Sequence, residues 1–203
     1  MRLSSGSRPT ESRKVLALRR AERINRQGLR NKAEGRHAEA RRNYRRALRL
    51  VRTWAPDDRD ALAVLHHNLG GIEYVAGNWA AGEAWARAGL AIRLAGPAEP
   101  GRVACDLIAL AAIIDCQRRH DEAEALYLAG LRLLRNAVRP DAFELGVALD
   151  GLGVQYARRG HPDAAVRLLE RAAHLKRSVL VRGHPSLTLT ETNLARARTL
   201  AGG

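Results

Sequence analysis

The segment "ALDGLGVQYARRGHPDAAVRLLERAAHL", residues 148–175, contains two stretches of helical periodicity separated by a short turn. Apolar and small residues recur every three or four positions before the turn "RGHP" at residues 159–162, and the same spacing returns after it. Pro162 suits the first turn of a helix, where its missing N–H costs nothing. The segment therefore predicts two helices joined by a tight turn.

The same pattern occurs three more times, at residues 23–50, 65–92 and 106–133, and a partial copy occupies residues 190–203. The small residue in the middle of each first stretch recurs at spacings of 42, 41, 42 and 42, at Gly28, Gly70, Ala111, Gly153 and Ala195. Two further series keep the same period, Ala40, Gly82, Ala123, Ala165 and Ala47, Gly89, Gly130, Ala172. A period of this length indicates stacked copies of one helix pair.

Composition and punctuation agree with an all-α chain. Aromatic residues make up only 4% of the sequence, whereas sheets favour aromatic and β-branched residues. Prolines separate the repeats, and the small residues allow paired helices to approach closely. The prolines between repeats are Pro56, Pro97, Pro100, Pro140 and Pro185.

This pattern resembles the tetratricopeptide repeat, most clearly at Leu152, Gly153, Tyr156, Ala165, Leu169 and Ala172. Leu69 with Gly70, and Ala40 with Tyr44 and Ala47, match in part. The 42-residue period and the junction "GHPSLTLTETNLA" at residues 183–195 are similar to the kinesin light chain variety. Departures from the pattern include Gln27 in place of Leu, and Asn31 and Glu73 in place of Tyr.

The resemblance implies an all-α, right-handed superhelix of about four and a half units, with a concave groove lined by the first helices. We expect a basic flexible tail at residues 1–9 and a repeat domain at 10–203. Within it, a helix starting near Thr10 caps one end, and the repeats occupy about 21–60, 61–101, 102–143 and 144–184, followed by a partial capping repeat at 185–203.

Positive charge is concentrated in the first quarter of the chain. The formal net charge is +14, and residues 1–55 carry 17 Lys and Arg against 4 Glu, whereas residues 56–203 carry 18 against 17 Asp and Glu. On a helical wheel of residues 36–52, one apolar stripe contains Ala40, Tyr44 and Val51. The opposite face, which we expect to lie on the convex side, carries Arg41, Arg42, Arg45, Arg46, Arg49 and Arg52.

No catalytic, metal-binding or phosphate-binding motif meets its spacing rule, which predicts a non-enzymatic protein without metal or cofactor. Cys105 and Cys116 are eleven residues apart in one predicted helix, roughly 16 Å along its axis, which is too far for a disulfide. The free thiols favour a reducing compartment. The apolar runs are too short for a signal peptide core or a membrane span, so we expect a cytoplasmic protein.

The resemblance implies that a peptide or partner protein binds in the groove. At the positions of Asn68 and Asn193, the family's asparagines often hold the backbone of a bound peptide. The predicted groove residues are His67, Asn68, Gly71, Tyr74, Ala112, Asp115, Asp150, Val154, Arg158, Asn193 and Arg196. The alternative function is an anion-binding surface, in which the basic N-terminal region and the arginine-rich helix bind nucleic acid, an acidic protein or anionic lipid.

Overall fold

The computed structural model describes residues 11–137 and 139–202, and within them the chain forms α-helices and no strands. The chain divides into two compact units, residues 1–96 and 97–203. The predicted tail at residues 1–9 lies outside the described residues. The expectation of an all-α repeat fold is confirmed.

The first unit contains two helix pairs, α1 (Glu11–Ala33) with α2 (His37–Trp54) and α3 (Arg59–Val75) with α4 (Trp79–Leu94). Each pair packs side by side, and α3 also packs on α1 and α2. Helix α1 runs without a break through residue 21, so the expected cap and the first helix of the first repeat are one helix. The core of this unit contains Tyr44, Leu48, Leu65, Leu69 and Ile72.

The second unit contains α5 (Pro100–Cys116), α6 (His120–Arg135), α7 (Ala142–Arg158), α8 (Pro162–Val179) and α9 (Pro185–Ala201). Helices α5 and α6 form one pair, α7 and α8 form the next, and α9 packs on both α7 and α8. Pro100, Pro162 and Pro185 each stand in the first turn of a helix, as the missing N–H of proline permits. The Asp141 carboxylate caps α7 by accepting from the backbone N–H groups of Phe143 and Glu144.

Small residues are required where the paired helices touch. A methyl group on Gly28 would lie 2.5 Å from Cε1 of Tyr44, and one on Gly70 would lie 3.2 Å from the carbonyl oxygen of Gly82. The Gly28 contact lies below the normal van der Waals separation, so its neighbour would have to move. The series of small residues in the sequence therefore marks the contact lines of the helix pairs.

Candidate functional site

A hollow of about 260 Å³ opens between α7, α8 and α9 in the second unit. Four of the predicted groove residues line it, Val154 and Arg158 from α7 and Asn193 and Arg196 from α9. The rest of its lining is apolar and includes Leu169, Ala197 and Leu200. We call this feature the α7–α9 hollow; it combines an apolar floor with amide and guanidinium groups at its edge.

The hollow coincides with a change in the repeat pattern at Leu169. In the 42-residue register, Leu169 stands where the first and third repeats place the buried Tyr44 and Tyr127 and the second repeat places Ala86. The Tyr127 hydroxyl reaches the next first helix so closely that a methyl group on Gly151 would lie 2.6 Å from it. Leucine lacks the outer half of that ring, so the equivalent space against α9 is left open.

Two hydrogen bonds fix the polar groups of this face. Asn193 Nδ2 donates to Asp150 Oδ1 at 3.3 Å, and Arg158 Nη1 donates to Asp115 Oδ2 at 2.7 Å. Each bond joins residues 43 apart, one repeat plus one residue, and so links consecutive first helices. Burial alone would lower the pKa of Arg158, but the Asp115 carboxylate and the neighbouring Cys116 together outweigh it and raise that pKa above its ordinary value.

Asp115 and Asp150 are buried and serve as anchors rather than exposed groove groups. The other carboxylate oxygen of Asp115 lies 2.7 Å from His120 Nδ1. Asp150 Oδ2 lies 3.6 Å from the Nζ of Lys176, which is 1% exposed and also donates to Thr190 Oγ1 at 2.8 Å. The aspartates therefore position Arg158 and Asn193 from below the surface.

Lys176 is a polar residue of this cluster that the sequence reasoning missed. Burial lowers its pKa, and the nearby Asp150 carboxylate opposes that change. The sequence did indicate the burial of Lys176, because this residue follows Ala172 by four positions and so lies on the apolar stripe of α8. A lysine at such a position predicts a buried cation with a carboxylate partner.

The remaining predicted groove residues are placed differently. Ala112 packs against the hydrophobic core of the second unit instead of lining the hollow. In the first unit, Asn68 Nδ2 donates to Asn25 Oδ1 at 2.8 Å, which links α3 to α1 across the same 43-residue separation. Gly71 lies beside the ammonium group of Lys32, and burial lowers the pKa of that group. His67 and Tyr74 lie on α3, half-buried and exposed respectively.

Three of the six arginines on the basic face of α2 contact polar groups of α3. Arg41 Nη2 donates to Glu73 Oε2 at 2.8 Å, Arg45 lies 3.9 Å from Glu73 Oε1, and Arg52 Nη2 lies 3.2 Å from the His66 ring. All three therefore approach α3. A helical wheel of one helix cannot show this, because the partners belong to another helix.

Glu73 explains the position of Arg41. In the repeat register Glu73 stands where Tyr156 stands, and Tyr156 donates to Glu124 of the preceding second helix at 2.6 Å. Both contacts join residues 32 apart in sequence. In the first, the second helix supplies an arginine and the next first helix a carboxylate, whereas in the other the second helix supplies a carboxylate and the next first helix a tyrosine. Arg42 bonds Glu39, and Arg46 and Arg49 have no polar partner among the described residues. A binding role for this face stays a prediction.

Within residues 11–137 and 139–202, no group of three or more His, Cys, Asp or Glu side chains could hold a metal ion. The two cysteines are free. Burial, together with the neighbouring Glu144 carboxylate, raises the pKa of Cys105 to about 12, so its thiol is protonated at neutral pH. None of the described helices has the combination of length and apolar character that a membrane crossing requires.

Comparison with known proteins identifies the repeat. Residues 146–186 match the model of the tetratricopeptide repeat family. This segment is similar to a tetratricopeptide repeat. The expected resemblance is thereby confirmed, and repeats of this kind typically mediate protein–protein interaction as non-catalytic scaffolds. No curated protein matches the chain at a significant level.

Solved structures share the fold over nearly the whole chain. BtubC (BKLC) from P. vanneervenii has a TM-score of 0.68 and 22% sequence identity, covering 95% of this chain and 84% of that one. A kinesin-light-chain-type protein from Podosopora anserina with nearly identical TPR-like repeats has a TM-score of 0.68 and 18% identity, covering 95% and 90%. Both similarities concern the helical repeat fold.

Proposed function

We propose that the chain is a non-enzymatic protein–protein interaction module, a scaffold or sensor, that holds a peptide or partner protein on the face containing the α7–α9 hollow. The observation that carries the proposal is the hollow itself, in which an apolar floor meets three polar side chains. Interfaces of this kind place an apolar anchor of one partner in a pocket surrounded by polar groups.

Each polar group has a role in holding an extended segment. Asn193 uses its Nδ2 on Asp150, and its amide oxygen is of the kind that accepts from a peptide N–H. Arg196 is exposed and has no polar partner among the described residues, so its guanidinium is available to a carbonyl or carboxylate oxygen. Leu169 and Leu200 supply the apolar surface that an aliphatic or aromatic side chain would cover.

The proposal is tested by photo-cross-linking in the native cell. We replace Arg196 by p-benzoylphenylalanine, and in a control chain Arg171, which is exposed on α8 and does not line the hollow. Irradiation should link a protein partner to position 196 and not to position 171. Equal cross-linking at both positions, or a partner linked only at position 171, would contradict the proposal.

A further inference from the structure

Helix α1 is longer than the other first helices, and its extra residues help to form a second cavity. Helices α3, α5, α7 and α9 each have 17 residues, whereas α1 has 23. In the repeat register the additional residues are 11–16, which precede the position equivalent to the start of α3. They include Val15, which lines a cavity of about 380 Å³ between α1, α2 and α3. We call it the α1–α3 cavity.

The interior of the α1–α3 cavity is apolar. Its lining includes Val15 and Leu18 from α1, Val64 from α3 and, from α2, the fully buried Val51. Its volume falls at the lower end of the range of protein pockets that bind small molecules. The cavity therefore provides a place for an aliphatic stem or side chain.

The polar lining carries mostly negative charge. Its charged lining consists of three carboxylates, Glu22, Asp58 and Asp60, and one guanidinium, Arg19. Residues 11–96 as a whole contain 18 Lys and Arg against 9 Asp and Glu, so the cavity is acidic within a strongly basic unit. Its charge preference is therefore opposite to that of the surrounding surface.

Among the described residues, Asp58 and Glu22 have no buried cation as a partner. Asp58 accepts from the backbone N–H of Ala61 through Oδ1, at the N-terminus of α3. Asp60 is already paired through Oδ1 with the buried Arg93. Glu22 is exposed, and its nearest cation, Arg26, lies 3.6 Å away in an ion pair of the weak surface type. An additional guanidinium can therefore approach Asp58 and Glu22 without displacing a buried partner.

From this combination we propose that the α1–α3 cavity is a second docking site, which takes an arginine side chain of a basic peptide segment on a partner protein. The aliphatic stem of arginine lies along Val15, Leu18 and Val64, and its guanidinium reaches the carboxylates. Arginine suits this site because its planar head is weakly hydrated and binds carboxylate oxygens in pairs. The site is separate from the α7–α9 hollow, and neither proposal depends on the other.

The test uses three short probes that differ only at one side chain, Ac-Leu-Arg-NH₂, Ac-Leu-citrulline-NH₂ and Ac-Leu-Glu-NH₂. Citrulline keeps the shape of arginine and lacks its charge. Titration of the full chain with assigned methyl groups should shift the signals of Val15, Leu18 and Val64 with the arginine probe. The citrulline probe should bind more weakly, and the glutamate probe should produce no shift.

Variants then locate the binding. Glu22→Lys should weaken the arginine probe by about three- to tenfold, because it reverses one exposed charge at the edge of the cavity. Glu39→Lys, a change at a partly exposed position on α2 outside the cavity, should leave the affinity unchanged. Val64→Arg should abolish binding by placing a guanidinium of the chain itself in the cavity, four residues from Asp60.

Circular dichroism confirms that each variant is folded before titration. Equal shifts with the arginine and citrulline probes would overturn the proposal, because they would show an apolar pocket without charge selection. Stronger binding of the glutamate probe, or shifts confined to other methyl groups, would overturn it equally. Failure of the cross-linking at position 196 would bear only on the α7–α9 hollow.

Discussion

The side chain of Tyr44 has two opposing effects on the stability of its helix pair. Its ring fills the space against Gly28, and the residue is completely buried. Among the described residues, its hydroxyl has no hydrogen-bond partner. Burial raises the pKa of Tyr44 to about 12, because the phenolate would lose its hydration inside the protein. The ring stabilises the repeat, and the hydroxyl opposes that stabilisation.

We expect Tyr44→Phe to increase the free energy of unfolding by about 1 kcal/mol at neutral pH, because it removes a buried polar group without opening a cavity. Since the pKa is higher in the folded chain than the ordinary 10.0, wild-type stability holds below pH 10.0 and falls as pH rises toward 12. Tyr44→Phe lacks that loss, so its advantage should grow at roughly pH 11.

Urea unfolding at both pH values measures this, with Tyr156→Phe as the comparison, since Tyr156 bonds Glu124. The buried-hydroxyl explanation fails if Tyr44→Phe is the less stable chain at neutral pH.

At the scale of the helical element, the turn inside each pair repeats one backbone conformation. Gly35, Gly77 and Gly160 have φ of 75°, 74° and 78°, and the equivalent residue of the third repeat, Arg118, has φ of 64°. This left-handed conformation costs a residue with a Cβ about 1 kcal/mol or more, whereas glycine adopts it freely. The third turn is therefore strained where the other three are not.

Arg118→Gly should raise the free energy of unfolding by about 0.5–1 kcal/mol. This net gain is the backbone strain that glycine relieves in the folded chain, minus the entropy cost of ordering the more flexible glycine. The Arg118 side chain has no polar partner among the described residues, so its removal costs no contact. The matched reverse change, Gly77→Ala, should lower stability by a similar amount. Chemical denaturation of the three chains checks both signs; a loss of stability in Arg118→Gly would disprove the strain.

The helix pairs could be predicted from the sequence because their contact lines require small residues, and those residues keep a fixed period. The continuation of α1 through residue 21 without a break could not be predicted, because residues 11–20 precede the segment that the repeat pattern covers. The pairing of Arg41 with Glu73 was equally hidden, since it depends on which side chains of neighbouring helices meet. The sequence did contain an indication of the α7–α9 hollow, because Leu169 stands at the repeat position that Tyr44 and Tyr127 occupy in the first and third repeats.

For the whole molecule, the repeated fold supplies a common frame and local departures from the repeat supply the candidate sites. Leu169 opens the hollow in the second unit, and the longer α1 forms part of the cavity in the first. The polar groups at the hollow include Arg158 and Arg196, whereas those at the cavity are mainly carboxylates. The two proposed sites therefore favour segments of different charge.

The central claim is that the α7–α9 hollow binds the partner, and Leu169→Tyr tests it most directly. Tyrosine at this position matches the first and third repeats and fills the hollow, at a packing cost of roughly 1–3 kcal/mol. The measurement is the dissociation constant of the partner captured through position 196, for the wild type, Leu169→Tyr and the exposed control Glu170→Gln, each shown to be folded. We predict binding weaker by about tenfold or more for Leu169→Tyr and unchanged for Glu170→Gln. Wild-type affinity in a folded Leu169→Tyr chain would contradict the claim.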